Sequence, residues 1–547
     1  MREKQTCVPP SKTILLVSSM VMLILMSTQL NGQTGVERRT SFDEGWKFFL
    51  GDDTTASSPS FNDSKWRVLD LPHDWSIELP FDSTSPTGTG GGALRGGIGW
   101  YRKTFTLPAS LKGKNFFIDF DGVYMNSEVW LNGRLLGNRP NGYISFRYDL
   151  TPLLKFGNEK NVIAVRVNNS QQPNSRWYSG SGIYRNVWLV TAGSVFVEHW
   201  GTYITTPQID NHLAKVAILI RLNNTTTTDK SIVVKTTIFD ADNKKIIAAS
   251  SSLNAKSVEI SEVSQQTEIT TPHLWAIDDP YLYTAKTEII DNGKTVDEYT
   301  TPFGIRYFRF DVDKGFFLNG KPLKIIGICD HHDLGCLGTA VNTRALQRQL
   351  QMLKGMGING IRTSHNPPAP ELLDLADKMG FVVMDEAFDM WKKEKNPYDY
   401  HLYWDNWYKI DLRDQVLRDR NHPSVFIWSI GNEIMEQWGG DHGEDTSGRQ
   451  IARDLAKIIH GLDTTRPITS ALNDPSPVNE IYRSGALDLV GFNYNQNEYK
   501  NFPKKFPGKK FIATETISSI NTRGHYDMPS DSIRRWPANW DKPLENA

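Results

Sequence analysis

Cysteine is scarce. Three occur in 547 residues, at positions 7, 329 and 336, too few for the disulfide framework that staples small secreted domains. Cys329 and Cys336 could close one short loop in an oxidising compartment. With His331 and His332 they give a C-x-H-H-x-x-x-C spacing that fits no standard zinc signature. Neither sign of charge is in surplus. Lys and Arg total 61 against 62 Asp and Glu, for a net charge of -1, so bulk electrostatics point to neither nucleic acid nor an anionic membrane surface. Long apolar runs are missing too, with one exception near the N-terminus. After the basic Arg2, Lys4 and Lys12, the stretch from Ile14 to Met26 is apolar but for two serines. That run is short for the ~20 residues of a membrane span and suits a signal-peptide core. Residues 1–33 are therefore expected to be a signal peptide, cleaved near Asn31, Gly32 and Gln33, with no membrane segment left in the mature chain. Cys7 precedes the run and cannot be a lipid-bearing cysteine behind it. The expected destination is the periplasm or beyond.

What is present in quantity is aromatic: 16 Trp, 19 Tyr and 25 Phe. Such rings suit sugar stacking, but β-sandwich cores consume them as well. Residues 36–192 read as short strands separated by Gly, Pro and Asn. "NFFIDFDGVYMNSEVWLNGRLLG" alternates apolar and polar residues, with Asn132-Gly133 as a hairpin signal, and a jelly-roll β-sandwich is expected. Residues 193–302 carry a second set of period-two runs, among them "KVAILIRLNN" and "SIVVKTTIFDA". An immunoglobulin-like sandwich is expected there, without the antibody-type disulfide since the stretch has no Cys. "GTGGGALRGG", from Gly88, superficially resembles a dinucleotide fingerprint. It neither follows a buried strand nor opens a helix, so it reads as a loop.

From residue 303 the pattern changes to strands alternating with helices. The strand-like runs are "LKIIGIC", "GINGIRTS", "GFVVMDEA", "SVFIWSIGNE", "PITSAL", "LDLVGFNYN" and "KKFIATE". Between them lie amphipathic stretches such as "TRALQRQLQMLKGMG", "PELLDLADKMG" and "SGRQIARDLAKIIHGL". Repeated βα units predict a parallel sheet or a TIM barrel over 303–547. Seven strands are legible, and after Glu515 the sequence turns loop-like and polar. The expected fold is thus multidomain: jelly roll, immunoglobulin-like sandwich, and a (β/α)8 barrel that looks truncated before its eighth strand.

A barrel places its reactive groups at the C-terminal ends of its strands. Those ends hold His331-His332-Asp333, Arg362 with Ser364-His365-Asn366, Asp385-Glu386, Asn432-Glu433, Asn473-Asp474, Asn493-Tyr494 and Glu515. A purely structural rim has no need of His, Asn and carboxylates at nearly every position. Glu433 and Glu515, on the fourth and seventh strands, can face each other across a ligand, as glycosidic-bond cleavage requires. Glu433 is assigned as acid/base and Glu515 as nucleophile. Asn432 would donate to the sugar's 2-hydroxyl, and Tyr494 would hold Glu515 in line. Asp385 and Glu386 are expected to form salt bridges inside the rim.

The domain order and the motifs "SRWYSGSGIYRNVWL", "GICDHHDLG", "NGIRTSHNPP", "VMDEAFDMW", "RDRNHPSVFIWSIGNE" and "IATET" resemble glycoside hydrolase family 2. The resemblance implies a retaining exo-β-glycosidase, first a β-galactosidase, with β-glucuronidase and β-mannosidase behind it. It implies the same two catalytic glutamates. It also implies that His331, His365, Asn432 and Tyr494 contact or flank the sugar, and that Arg176 reaches the site from the first domain. Arg362, at the second strand end, is also expected to bind substrate. The expected partner is an oligosaccharide or glycan, with homo-oligomerisation left open. A magnesium site known from bacterial β-galactosidases would fall on Met390 and Lys392, poor ligands both, so no cofactor is expected, although Asp389 lies nearby. The "LNGRLLG" segment resembles the family's sugar-binding sandwich and reads as scaffold. A second reading, drawn from the missing strand, is a non-catalytic carbohydrate-binding protein.

Overall fold

The computed structural model describes residues 37–210, 212–439 and 444–517. The expected signal segment and Cys7 lie outside these residues.

The chain enters a sandwich of two antiparallel sheets. One runs Arg39–Ser41, Val187–Ala192, Asn115–Phe120 and Phe146–Asp149; the other holds six strands, with Gly97–Phe105, Asn161–Asn169, Ser127–Leu131 and Arg134–Arg139 adjacent in that order. Period two explains the burial. In Ser127–Leu131 every second residue, Ser127, Val129 and Leu131, faces inward, against Trp46, Phe116, Phe120 and Val165. The hairpin to Arg134–Arg139 turns at Asn132 and Gly133, whose φ angles of 52° and 82° are the left-handed values that an Asn-Gly turn supplies.

A second sandwich follows, with Val195–Ile209, Leu213–Asn224 and Ile260–Thr270 facing a four-stranded sheet built on Lys230–Phe239. Ala214, Val216, Ile218, Ile220 and Leu222 alternate into its core. A small antiparallel sheet, Phe308–Asp311, Gly315–Leu318 and Lys321–Pro322, comes next. Its Phe316 and Leu318 pack with Val382, Met384, Ile427 and Leu489 from the strands beyond.

Those strands form one parallel sheet in chain order: Gly327–Asp330, Gly360–Thr363, Val382–Glu386, Val425–Asn432, Ile468–Leu472, Leu489–Asn493 and Lys510–Glu515. Each of the seven sequence runs yields one strand. Sequential parallel neighbours joined by helices are the wall of a (β/α) barrel. The shortfall expected after Glu515 falls on residues 518–547, outside the described ones. The helix Thr343–Gly355 begins at Asn342, whose side chain accepts from the Ala345 amide at 3.0 Å. Pro370–Met379 opens on proline and ends at Gly380, with φ 74° and a Cβ position 2.1 Å from the Ile277 carbonyl oxygen; a side chain there has no room. A further helix, Trp404–Asp419, buries Asp411, Gln415, Arg418 and Asp419 beside Leu412 and Val416, which hides its inner face from a search for apolar periodicity.

The first sandwich packs on the barrel through buried charge. Arg185 donates to the Tyr143 carbonyl at 2.7 Å and to the Pro367 and Pro368 carbonyls at 3.0 Å. These contacts fix the loop behind the second barrel strand, which carries His365.

Candidate active site

Glu433 and Glu515 converge. The Asn493 side-chain nitrogen donates toward Glu433 Oε1 at 3.1 Å and Glu515 Oε2 at 3.2 Å. Since both oxygens lie that close to one atom, they stand no more than about 6.3 Å apart, compatible with the close carboxyl pair, ~5–5.5 Å apart, of a retaining site. The backbone turns sharply as it delivers them. Glu433 and Tyr494 both have left-handed φ values, 43° and 55°, a conformation that costs energy for residues with a Cβ and clusters at functional sites.

The two glutamates differ in their neighbours. Glu515 accepts from the Tyr494 hydroxyl, from Arg362 Nη1 at 3.1 Å and from Asn493. A cation and two neutral donors make a setting suited to an anion. Glu433 accepts from Asn493 and lies 4.0 Å from Arg176 Nη1.

Beneath them lies a buried network centred on Arg362, 4% exposed, and Glu386, 0% exposed. Arg362 donates from Nε and Nη2 to Glu386 at 2.8–3.0 Å and from Nη2 to Asn432 Oδ1 at 2.8 Å. Ser429 donates to Glu386 at 2.6 Å, and His365 Nδ1 lies 2.7 Å from it. Burial alone would raise the Glu386 carboxyl; the Arg362 guanidinium and the His365 and Ser429 hydrogen bonds hold it below its ordinary value. Asp385 departs from the salt bridge expected of it. It accepts from Gln415 at 2.7 Å, and burial beside Asp419 pushes its carboxyl well up.

Arg176 arrives from the first sandwich and grips Asp389, Nη2 to Oδ1 at 2.6 Å and Nε to Oδ2 at 3.1 Å. Lys395 donates to the same carboxylate at 3.0 Å and to the Asn432 carbonyl at 2.8 Å. Asn432 Nδ2 also donates to Asp389, at 2.8 Å. Although burial opposes ionisation, Lys395 and Arg176 hold Asp389 far below the usual carboxylate range. These residues do not fit a divalent cation. Both Asp389 oxygens already face positive charge, Met390 is apolar, and Lys392 pairs with Asp405 at 3.0 Å. Among the described residues no cluster of His, Cys, Asp and Glu is placed to hold a metal ion. Cys329 and Cys336 are free thiols, and the Cys329 sulfur accepts from Arg362 at 3.4 Å.

His331 stands at the rim between Trp177 and His365, with ring centroids 5.0 and 5.4 Å away. Burial, helped by the neighbouring His365 and Arg362, pushes it down to about 4, so it is neutral at ordinary pH. Its Nδ1 and the Trp177 indole nitrogen are buried without a protein partner, polar atoms left for a ligand or water. The structure thus brings all eight expected residues, Arg176, His331, Arg362, His365, Asn432, Glu433, Tyr494 and Glu515, into one connected site. Sequence reasoning did not single out Trp177, Lys395 or the bridging role of Asn493. Trp177 and Asn493 adjoin residues that were singled out, Arg176 and Tyr494; Lys395 has no local signal.

Comparison with known proteins adds independent evidence. Three family models match in tandem: "Glycosyl hydrolase 2 galactose-binding domain-like" over residues 99–192, "Glycosyl hydrolases family 2" over 195–306, and "Glycosyl hydrolases family 2, TIM barrel domain" over 311–538. A beta-galactosidase, BoGH2A of Bacteroides ovatus, is 51% identical over 534 residues, covering 93% of this chain and 63% of that one. A putative beta-glucuronidase of Formosa agariphila is 39% identical, covering 92% of this chain and 46% of its own length. The crystal structure of a glycosyl hydrolase family 2 member from Bacteroides cellulosilyticus superposes with a TM-score of 0.85 at 40% identity, over 88% of this chain and 62% of that one. The chain therefore spans roughly half to two thirds of these relatives. With three consecutive family domains over a shared fold, the chain belongs to glycoside hydrolase family 2.

Proposed function

We propose that the chain carries a retaining exo-β-glycosidase activity, most directly a β-galactosidase, removing terminal β-linked sugars from oligosaccharides. The observation that carries the mechanism is the single Asn493 nitrogen shared by Glu433 and Glu515. Glu515, set among Arg362, Tyr494 and Asn493, attacks the anomeric carbon while Glu433 protonates the departing oxygen. The bond to the aglycone breaks and a covalent glycosyl-enzyme forms. Glu433 then takes a proton from water, which displaces Glu515 and restores both groups. Asn432 and His365 are fixed by Arg362 and Glu386, so the floor of the site needs little reorganisation. Trp177 and His331 offer a ring wall and unpaired nitrogens to the sugar.

The choice of galactoside rests on the 51% identical relative. The 39% identical relative favours a second reading, β-glucuronidase. Release of nitrophenol from aryl β-galactoside, β-glucuronide and β-mannoside decides between them. Hydrolysis of the galactoside at least tenfold faster than either other supports the first reading; glucuronide preference replaces it. The basic start and apolar run before residue 33 support export, which N-terminal mass determination on the secreted or periplasmic protein tests.

A further inference from the structure

A second cleft, of about 240 Å3 and open to solvent, lies where the six-stranded sheet meets the helix Trp404–Asp419. That is below the ~300–1,000 Å3 of drug-sized ligand sites, which limits the cleft to a ligand of about one small ring. Strand register builds one wall. Glu128 sits directly opposite Asn138 on one neighbouring strand and Arg166 on the other, so three polar side chains stand in a row on the outward face. Asn168, two residues beyond Arg166, extends the row. The facing wall is aromatic: Tyr403 and Trp407, one helical turn apart, present their rings on one side of the chain. Arg139 backs the Trp407 indole, its guanidinium 5.2 Å from the ring centroid.

The chemistry of these walls selects a ligand class. An anionic ligand would need a spare cation, but Arg166 is held by Asp52 at 2.7 and 2.9 Å and by Glu128 at 3.3 Å. An apolar peptide would need apolar walls. Side-by-side amide, carboxylate and guanidinium groups instead offer fixed donors and acceptors to neighbouring hydroxyls, and an indole packs against an apolar C–H surface. A pyranose has both faces. The cleft is also linked to the catalytic pocket, since Tyr124, Met125 and Tyr400 line the space beside His365 and Asp389, while the same two segments continue into Asn126, Glu128, Tyr403 and Trp407.

We propose that this cleft is a second sugar-binding site, which takes a neutral pyranose unit of the glycan on which the enzyme acts. The glycan as ligand rests on the proposed glycosidase activity; the cleft and its chemistry do not. The test is calorimetric titration of the Glu515→Gln variant with β-1,4-galactotetraose and with cellotetraose. A second binding event is expected with at least one of them. It should be lost in Trp407→Ala and weakened about tenfold in Asn138→Ala, both made on the Glu515→Gln background and both melting as that parent does. Single-site binding of both sugars, or a second event that neither substitution changes, overturns the proposal. Nitrophenol release by the unaltered chain is scored separately. A chain that lacks it yet loses the second event in Trp407→Ala supports the cleft and sinks only the activity.

Discussion

Replacing Arg362 with alanine separates the structural from the chemical demands on the site. Arg362 is the cation facing Glu386, which is wholly inaccessible to solvent, and it also donates to Glu515 and Asn432. Removing one partner of a buried ion pair leaves an uncompensated charge and costs about 3–5 kcal/mol. For a barrel of this size each kcal/mol moves the melting temperature about 2–4 °C, so the barrel transition should fall by roughly 6–20 °C. Arg362→Lys should recover only part of this, because an ammonium cannot reproduce the forked geometry that serves Glu386 and Glu515 together. Adding Glu386→Gln to Arg362→Ala removes the stranded charge and should return stability without returning turnover. Differential scanning calorimetry reads the first effect and aryl-glycoside hydrolysis the second. A drop under 2 °C, or no recovery with Glu386→Gln, would refute the claim that the pair holds the floor of the site.

Other expectations follow from single contacts. Tyr494→Phe deletes a hydroxyl donated to Glu515 and should lower kcat about 10²–10³-fold with KM changed far less, as loss of one preorganised donor does; steady-state kinetics check it. Because Arg176 and Lys395 already neutralise Asp389, EDTA treatment should leave the hydrolysis rate unchanged, and a loss restored by magnesium would contradict the reading of that site. His422, opposed by burial but held by Asp377 at 2.6 Å, is raised to about 9. Its folded value exceeds the ordinary one of 6.5, so its stabilisation is complete below pH 6.5 and is lost as pH rises toward 9. His422→Asn should therefore flatten the fall in melting temperature across that window.

Much of this molecule is legible in its sequence, for reasons that can be named. The five inner barrel strands, from Gly360–Thr363 to Leu489–Asn493, are buried along their whole length and read as largely apolar runs because both faces are covered. The first and seventh, Gly327–Asp330 and Lys510–Glu515, are partly exposed and show through their apolar residues and the turns that bound them. The sandwich strands show themselves by period two, as in Leu213–Asn224. Glu433 and Glu515 can be found because each ends such a run, and strand ends are where a barrel exposes reactive groups. What stays hidden is long-range pairing. No local pattern in Trp404–Asp419 shows that Asp411 will meet Arg139 of the first sandwich. Nothing near Lys395 shows that it will share Asp389 with Arg176, 219 positions earlier in the chain. Asp385 and Glu386 look alike in sequence, yet only Glu386 points at Arg362, because successive strand residues face opposite sides of the sheet. Charge pairing across elements is set by packing, which the order of residues does not display.

The central claim is that Glu515 attacks the sugar and Glu433 assists. It is tested most directly by incubating the protein with a 2-deoxy-2-fluoro-β-galactoside bearing a reactive leaving group and mapping the adduct by peptide mass spectrometry. One fluorosugar bound through an ester to the peptide ending the seventh barrel strand, at Glu515, is the expected result, with no label on a Glu515→Gln variant. A label on Glu433 or elsewhere, or hydrolysis of the natural anomer with inversion and no covalent adduct, would contradict it.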